Sequence, residues 1–246
     1  MDRDDRMRLA VLSDVHGNAW ALESVLADVE RHRPHRFVLL GDLLADGPAP
    51  ARTLALLRAL PNATCVQGNT DRYLADLAQV VPPRSEMPDL IQTWRWAVDR
   101  LGEEGRRFLA CLPTDAMLET PVGRVLATHG TPGNDEGLLY PGRADTWADL
   151  NWHGARLLLV GHTHPPFVLE TEGGTIVNPG SVGIPTPTGW RASYALVDLF
   201  GGGQIAVRHE QVAWDIEAYI AAFEEGIPLN RKAAPMLEAL RLQVDR

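Results

Sequence analysis

The chain has 246 residues, 45% of them hydrophobic, with 32 acidic against 23 basic side chains and a net charge of −9. That content supports a sizeable core, while the acidity excludes the basic footprint needed to grip a nucleic-acid backbone or anionic lipid. No apolar stretch approaches the roughly 20 residues of a membrane span, and the charged opening MDRDDRMRLAVLSD is unlike a signal peptide. Neither stable nucleic-acid binding nor membrane association is expected. Cys65 and Cys111 lie far apart, each among apolar neighbours, which predicts two reduced core thiols and a cytoplasmic setting.

Residues 1–6 read as a disordered leader, and 7–246 as a single domain. Short runs rich in Val and Leu predict strands over 8–14, 36–42, 63–69, 124–130, 156–162 and 175–181. Runs of this length without alternation suit strands buried on both faces. Between the early ones, Leu22, Val25, Leu26 and Val29 fall at helical spacing over 19–32, with Asn18 as cap. A second helix spans 49–60 and stops at Pro61. Residues 80–112, with the Pro-rich entry VVPPRSEMPDL, read as a helical, lid-like insertion that packs Trp94 and Trp96 on the body. Strands then follow one another over 115–130 and 155–212, with hairpin turns at Gly173-Gly174 and Gly201–Gly203. Helices close the chain at 215–225 and 230–243. Helix-bearing strands first and antiparallel strands later predict an α/β fold, two sheets face to face with helices outside.

The polar residues that end the apolar runs carry the chemistry. The first run ends in Asp14-Val15-His16, the second in Gly41-Asp42, and the third in Gly68-Asn69. Later runs end in His129-Gly130 and Gly161-His162-Thr163-His164. In extended chain, residues two apart project to one side, so Asp14 with His16, and His162 with His164, should each face a common space. The ends of parallel strands in one sheet share an edge. Asp14, His16, Asp42, Asn69, His129, His162 and His164 are therefore expected to converge. Seven nitrogen and oxygen donors exceed one tetrahedral zinc and suit two ions sharing a carboxylate. Mixed imidazole, carboxylate and amide donors favour manganese first, with iron, zinc, nickel or cobalt as alternatives. His32, His35, His153 and His209 lack this setting and read as surface or core.

Two divalent ions against the charges of Asp14 and Asp42 leave a site of about +2 inside an acidic protein, which is how such a chain would attract a phosphate. The same charge favours hydroxide over water between the ions. No Ser or Cys has surroundings that would activate it as a nucleophile.

The blocks DVHGN (14–18), GDLLADGP (41–48), GNTD (68–71), THG (128–130) and GHTH (161–164) resemble, in order and spacing, those of the calcineurin-like metallophosphoesterases. With VNPGSVGIP (177–185) and RASYALVD (191–198), the resemblance runs over about residues 7–199 and is nearest the small bacterial and archaeal phosphodiesterase-like branch. It implies a four-layer α/β/β/α sandwich of two mixed sheets. It also implies one ion held by Asp14, His16, Asp42 and His164, and a second held by Asp42, Asn69, His129 and His162, with Asp42 bridging. The implied reaction is hydrolysis of phosphodiester or phosphoanhydride bonds in a small-molecule phosphoester or nucleotide by a metal-bridging hydroxide. Diadenosine polyphosphates are the sharper expectation.

One position departs from the family pattern. Many members have histidine after the third-block asparagine, where it helps protonate the leaving group; here that residue is Thr70. A threonine hydroxyl is a poor acid at pH 7, so substrates with good leaving groups are expected to be preferred. Asp42, Asn69, Thr70 and Asp71 form the expected catalytic set, with Asp71 orienting Thr70 or a histidine lying behind the ligands. Asn18 and Arg72 are the expected phosphate contacts, with Tyr140, Trp190 and Arg191 as candidates for the substrate mouth. Two other functions compete: a phosphomonoesterase, including a protein phosphatase, and a non-catalytic binding scaffold built on the same fold.

Overall fold

The computed structural model describes residues 6–80, 87–184, 190–228, 230 and 233–244. Of the expected leader, residues 1–5 lie outside this range. Arg6 already belongs to a strand, pairing with Phe200.

Among the described residues, ten strands form two mixed five-stranded sheets. The first is built from β1 (Arg6–Leu12), β2 (Arg36–Leu39), β3 (Ala63–Cys65), β9 (Ala192–Phe200) and β10 (Ile205–Val212), in the order β10-β9-β1-β2-β3. The second is built from β4 (Asp115–Thr120), β5 (Gly123–Thr128), β6 (Leu157–Leu159), β7 (Phe167–Thr171) and β8 (Gly174–Asn178), in the order β4-β5-β6-β8-β7. β1, β2 and β3 run parallel, as do β5, β6 and β8, with antiparallel strands at the flanks. The hairpins β7–β8 and β9–β10 turn at the glycine clusters that predicted them.

Side-chain alternation divides these strands between three apolar layers. Leu9, Val11, Val38 and Leu40 face Val125, Ala127, Leu157 and Leu159 of the other sheet, and fill the space between the two. Ala10, Leu12, Phe37 and Leu39 point the other way, onto the helices. Those helices are α1 (Ala19–His32), α2 (Pro50–Arg58), α4 (Pro88–Ala110), α5 (Ile216–Glu224) and α6 (Ala233–Val244). The third layer, Leu126, Leu158, Val160 and Ile176, lies on the far face of the second sheet.

That far face departs from the expected helical cover. Leu139, Trp147, Leu150 and Trp152 pack on it from the segment between β5 and β6, whose only regular piece among the described residues is a single 3₁₀ turn, Ala144–Thr146. Proline and glycine at 132, 133, 137, 141 and 142 prevent a longer helix there. The fold class stands: an α/β sandwich of two mixed sheets, with the fourth layer made of irregular chain.

Helix α4 is more than cover. Leu90, Trp94, Ala97, Leu101 and Leu109 join the same apolar layer as α1 and α2, and Trp94 stacks on Tyr73 with ring centroids 5.2 Å apart. The helix is interrupted at Gly102, whose φ is 59°. Residues 81–86 of the expected insertion lie outside the described residues. Among those described, no helix is long and apolar enough to cross a membrane.

The cysteines differ from the expected core pair. Cys111 is exposed just beyond α4, while Cys65 is partly buried at the end of β3. Burial, with the Asp71 carboxylate nearby, pushes the Cys65 thiol up to about 12. A thiolate-directed reagent such as iodoacetamide at pH 8 is therefore expected to modify Cys111 in the native protein and to leave Cys65 intact. Peptide mapping after short exposure checks this; equal labelling of both would contradict it.

Candidate metal centre

The strands end earlier than the apolar runs suggest. β1 stops at Leu12, β2 at Leu39, β3 at Cys65, β5 at Thr128 and β6 at Leu159. Each candidate ligand therefore sits in the loop that follows its strand, or, for Asn69, at the start of the short helix α3 (Asn69–Ala75). The loops belong to two sheets rather than one: β1, β2 and β3 supply Asp14, His16, Asp42 and Asn69, while β5 and β6 supply His129, His162 and His164.

The pairs Asp14/His16 and His162/His164 converge by a different route from the extended geometry that predicted them. All four, and Asp42, have left-handed backbone, with φ between 49° and 70°. Such a conformation costs a residue with a Cβ of order 1–2 kcal/mol, and surrounding hydrogen bonds hold it in place. Asp14 N donates to Gly41 O (3.1 Å) and His16 N to Asp42 O (2.9 Å). From the β8–β9 connection, Gly183 N donates to Asp14 O (2.9 Å), and within the second sheet's loops Gly161 N donates to His129 O (2.7 Å). Behind them, Ser181 Oγ donates to Asp14 O, and Asn178 Nδ2 to Gly161 O.

Two compact donor groups result: Asp14, His16 and His164 form one, and Asp42, His129 and His162 the other, the donor atoms of each lying within 4.8 Å of one another. Asp42 faces both. Its Oδ2 is 3.9 Å from His16 Nε2, and its Oδ1 is 3.5 Å from His129 Nε2. The Thr70 backbone N–H donates to Asp42 Oδ1 (2.9 Å) and fixes the carboxylate.

The hydrogen bonds around these groups leave lone pairs pointing inward. His129 Nδ1 is 2.6 Å from Leu40 O, and His164 Nδ1 is 3.0 Å from Ile184 O. A carbonyl can only accept, so each Nδ1 carries the proton and each Nε2 is free to ligate. Asp14 Oδ2 accepts from Ser13 Oγ and from His162 N, while buried Asp14 Oδ1 makes no hydrogen bond and faces His164 Nε2 at 3.3 Å. Asn69 Oδ1 is likewise buried without a hydrogen bond. Imidazole nitrogens of His16 and His164 face each other at 3.4 Å, and those of His129 and His162 at 3.1 Å. Orphaned buried acceptors are rare, and these are the donor types a divalent transition metal takes.

Charge within the cluster is strongly perturbed. Burial works against ionised Asp14, but His164 and His129 outweigh it and lower its pKa to about 2. Burial likewise disfavours protonated His129, yet Asp42 and Asp14 push its pKa up to about 10. In the metal-free protein His129 would therefore have to lose a proton before it could ligate a cation.

Three expected residues behave otherwise. Asp71 neither orients Thr70 nor touches a histidine: its two oxygens accept from Leu43 N (2.9 Å) and Gly68 N (3.0 Å), clamping the Asp42 loop to the start of α3. Burial and the Asp42 charge push its pKa up to about 7. Arg72 is already paired, through Nε with Asp135 (2.7 Å) and through Nη2 with Glu136 (2.9 Å), rather than open to a phosphate. Asn18 caps α1, accepting from Ala21 N, while its amide donates to Gly183 O. Thr70 Oγ1 is buried without a partner.

The mouth candidates also make contacts elsewhere: Trp190 O accepts from Trp214 Nε1, Arg191 donates to Gln211 O, and exposed Tyr140 is tied to Thr146. His32, His35, His153 and His209 lie outside both donor groups. One contributor went unnoticed in the sequence. Asp46, at φ 74°, brings Oδ2 to 3.6 Å from His16 Nδ1.

This arrangement has relatives. A phosphodiesterase, YfcE of Escherichia coli K12, is 29% identical over 202 residues, covering 78% of this chain and 88% of its own. An uncharacterized protein of Methanocaldococcus jannaschii is 29% identical over 212 residues, covering 77% and 82%. The crystal structure of a metallophosphoesterase from Sphaerobacter thermophilus superposes with a TM-score of 0.72 at 27% identity, covering 95% of this chain and 99% of its own. The family model for the calcineurin-like phosphoesterase superfamily domain matches residues 7–202, and the chain belongs to that family of metal-dependent phosphoesterases.

Proposed function

We propose that the protein is a two-metal phosphodiesterase, acting on phosphodiester or phosphoanhydride bonds in small nucleotide-like substrates, dinucleoside polyphosphates among them. The observation that carries this reading is the pair of donor groups with Asp42 between them, beside Thr70 where a general acid would stand.

In this reading Asp14, His16, Asp42 and His164 hold one ion, and Asp42, Asn69, His129 and His162 the other, with manganese the first metal to test beside iron, zinc, nickel and cobalt. Such ions supply Lewis-acid charge to phosphoryl oxygens and depress the pKa of water toward neutrality. The chain's own contributions are positional. Leu40 and Ile184 carbonyls orient His129 and His164, and the Thr70 N–H orients Asp42. Asn18 ties the start of α1 to Gly183, and Arg72 ties α3 to Asp135 and Glu136.

Thr70 sets the choice of substrate. General acid catalysis contributes about 10²–10⁴-fold when the leaving group is basic, and a hydroxyl cannot donate that proton at neutral pH. Substrates that leave as a phenolate or a nucleotide phosphate do not need it. With manganese, bis-(p-nitrophenyl) phosphate and diadenosine tetraphosphate are expected to be hydrolysed with kcat/KM at least about a hundred-fold above a phosphoserine peptide. Thr70→His is expected to raise the phosphoserine rate and to narrow that gap. A wild-type protein that prefers the phosphoserine peptide would overturn the diesterase reading.

A further inference from the structure

Two of the ligand histidines show where the second ring nitrogen goes, and His16 stands apart from them. His129 and His164 each give theirs to a backbone carbonyl. His16 Nδ1 is buried with no hydrogen bond, and the acceptor facing it is Asp46 Oδ2 at 3.6 Å. That separation is an ion-pair contact, slightly too long for a hydrogen bond. The other Asp46 oxygen, Oδ1, accepts the indole N–H of Trp94 at 2.9 Å. Trp94 is fully buried in the middle of α4.

We infer that Asp46 is a positioning residue for the ion held by Asp14, His16 and His164, and that Trp94 anchors it, so that helix α4 supports the metal centre through a Trp94–Asp46–His16 relay. The geometry leaves Asp46 little choice of place. The loop carrying it is laced to the His16 loop by His16 N to Asp42 O, Gly17 N to Leu43 O and Ala49 N to Gly17 O. Asp46 itself holds a left-handed φ of 74°, a conformation that aspartate tolerates better than most residues but that still needs support. Trp94 supplies that support from the side, and Tyr73 stacks on the indole in turn.

The chemistry follows from tautomer control. His16 presents Nε2 to Asp14 and Asp42, so Nδ1 must carry the proton when a cation sits at Nε2. A buried Nδ1–H needs an acceptor, and a carboxylate there both fixes the ring and raises its basicity as a ligand. The backbone carbonyls at His129 and His164 do the first job without the charge. The two ions should therefore differ in what sustains them, with only one depending on Asp46.

The inference rests on the two-ion reading, and manganese titration of the metal-free protein separates the two. Wild type is expected to bind two Mn²⁺. Asp46→Asn, which keeps shape and an acceptor for Trp94, and Asp46→Ala are expected to weaken one binding event by about ten- to hundred-fold, the usual effect of losing an outer partner, and to leave the other unchanged. Trp94→Phe, which keeps the ring and deletes the N–H, should weaken the same event by less. Melting of the metal-free variants identifies any that fail to fold, and Asp46→Asn is the variant least exposed to that failure. Histidine ¹⁵N spectra of the Zn²⁺-loaded protein add a readout that mere structural damage would not mimic: His16 should be protonated at Nδ1 in wild type and lose that uniform state in Asp46→Ala. Two unchanged affinities in both Asp46 variants, with an unchanged His16 spectrum, would overturn the role of Asp46. A single Mn²⁺ in wild type would instead overturn the two-ion reading beneath it.

Discussion

Replacing Asp42 with asparagine is expected to reduce manganese-dependent turnover of bis-(p-nitrophenyl) phosphate by far more than a hundred-fold while the protein stays folded. The figure is set against the roughly ten- to hundred-fold lost when an outer partner of a metal site is removed; Asp42 is the carboxylate that faces both donor groups, at 3.9 Å from His16 and 3.5 Å from His129. An amide keeps the shape, and its oxygen can still accept the Thr70 N–H. It loses the negative charge that would offset two cations. Bound manganese, measured beside the rate, should fall below two per chain, and the far-ultraviolet dichroism should match wild type. Activity within ten-fold of wild type at full metal loading would contradict the shared role.

The second large effect is on stability. A Cβ at residue 47 would stand 2.0 Å from His16 O and 2.7 Å from the carbonyl carbon of Gly17. Both are backbone atoms, so no rotamer change relieves the clash. Gly47→Ala must push the Asp42 loop off the His16 loop, and overpacking of this kind costs about 3 kcal/mol or more. For a chain of this size that is a fall in Tm of roughly 6–12 °C, accompanied by weaker metal binding because the displaced loops carry His16, Asp42 and Asp46. Gly142→Ala is the control: its added Cβ meets nothing within 4 Å, and its effect should stay within about 0.5 kcal/mol. Equal melting of the two variants would mean that the close approach of these loops is not a constraint on the fold.

The elements that the sequence made legible are those whose signal is local. Val- and Leu-rich runs marked β1, β2, β5, β6 and β8, adjacent glycines marked two hairpins, and helical spacing marked α1 with Asn18 at its cap. The seven donors could be named because each closes such a run. Their convergence was anticipated for a partly wrong reason. Left-handed residues after the strands, locked by hydrogen bonds between loops, bring Asp14 to His16 and His162 to His164, and nothing in a local pattern announces φ near 50° for an aspartate or histidine.

What stayed hidden depends on contacts distant in the chain. Arg72 looked like a free cation beside the third motif, yet its partners Asp135 and Glu136 lie more than sixty residues away. Asp46 reads as an ordinary turn residue until Trp94, forty-eight positions on, is seen to hold it. Helix α3 is only seven residues long, too short for a periodic signal, and is fixed by Asp71 and by packing of Tyr73 and Leu74. The irregular cover of the second sheet was concealed by the same proline and glycine content that explains it.

The most direct measurement is an anomalous-difference map from a crystal of the manganese-loaded protein. Two peaks are predicted, one bounded by Asp14, His16 and His164 and the other by Asn69, His129 and His162, with Asp42 touching both. A single peak, or two with Asp42 outside the coordination of either, would contradict a two-metal centre built around a shared carboxylate.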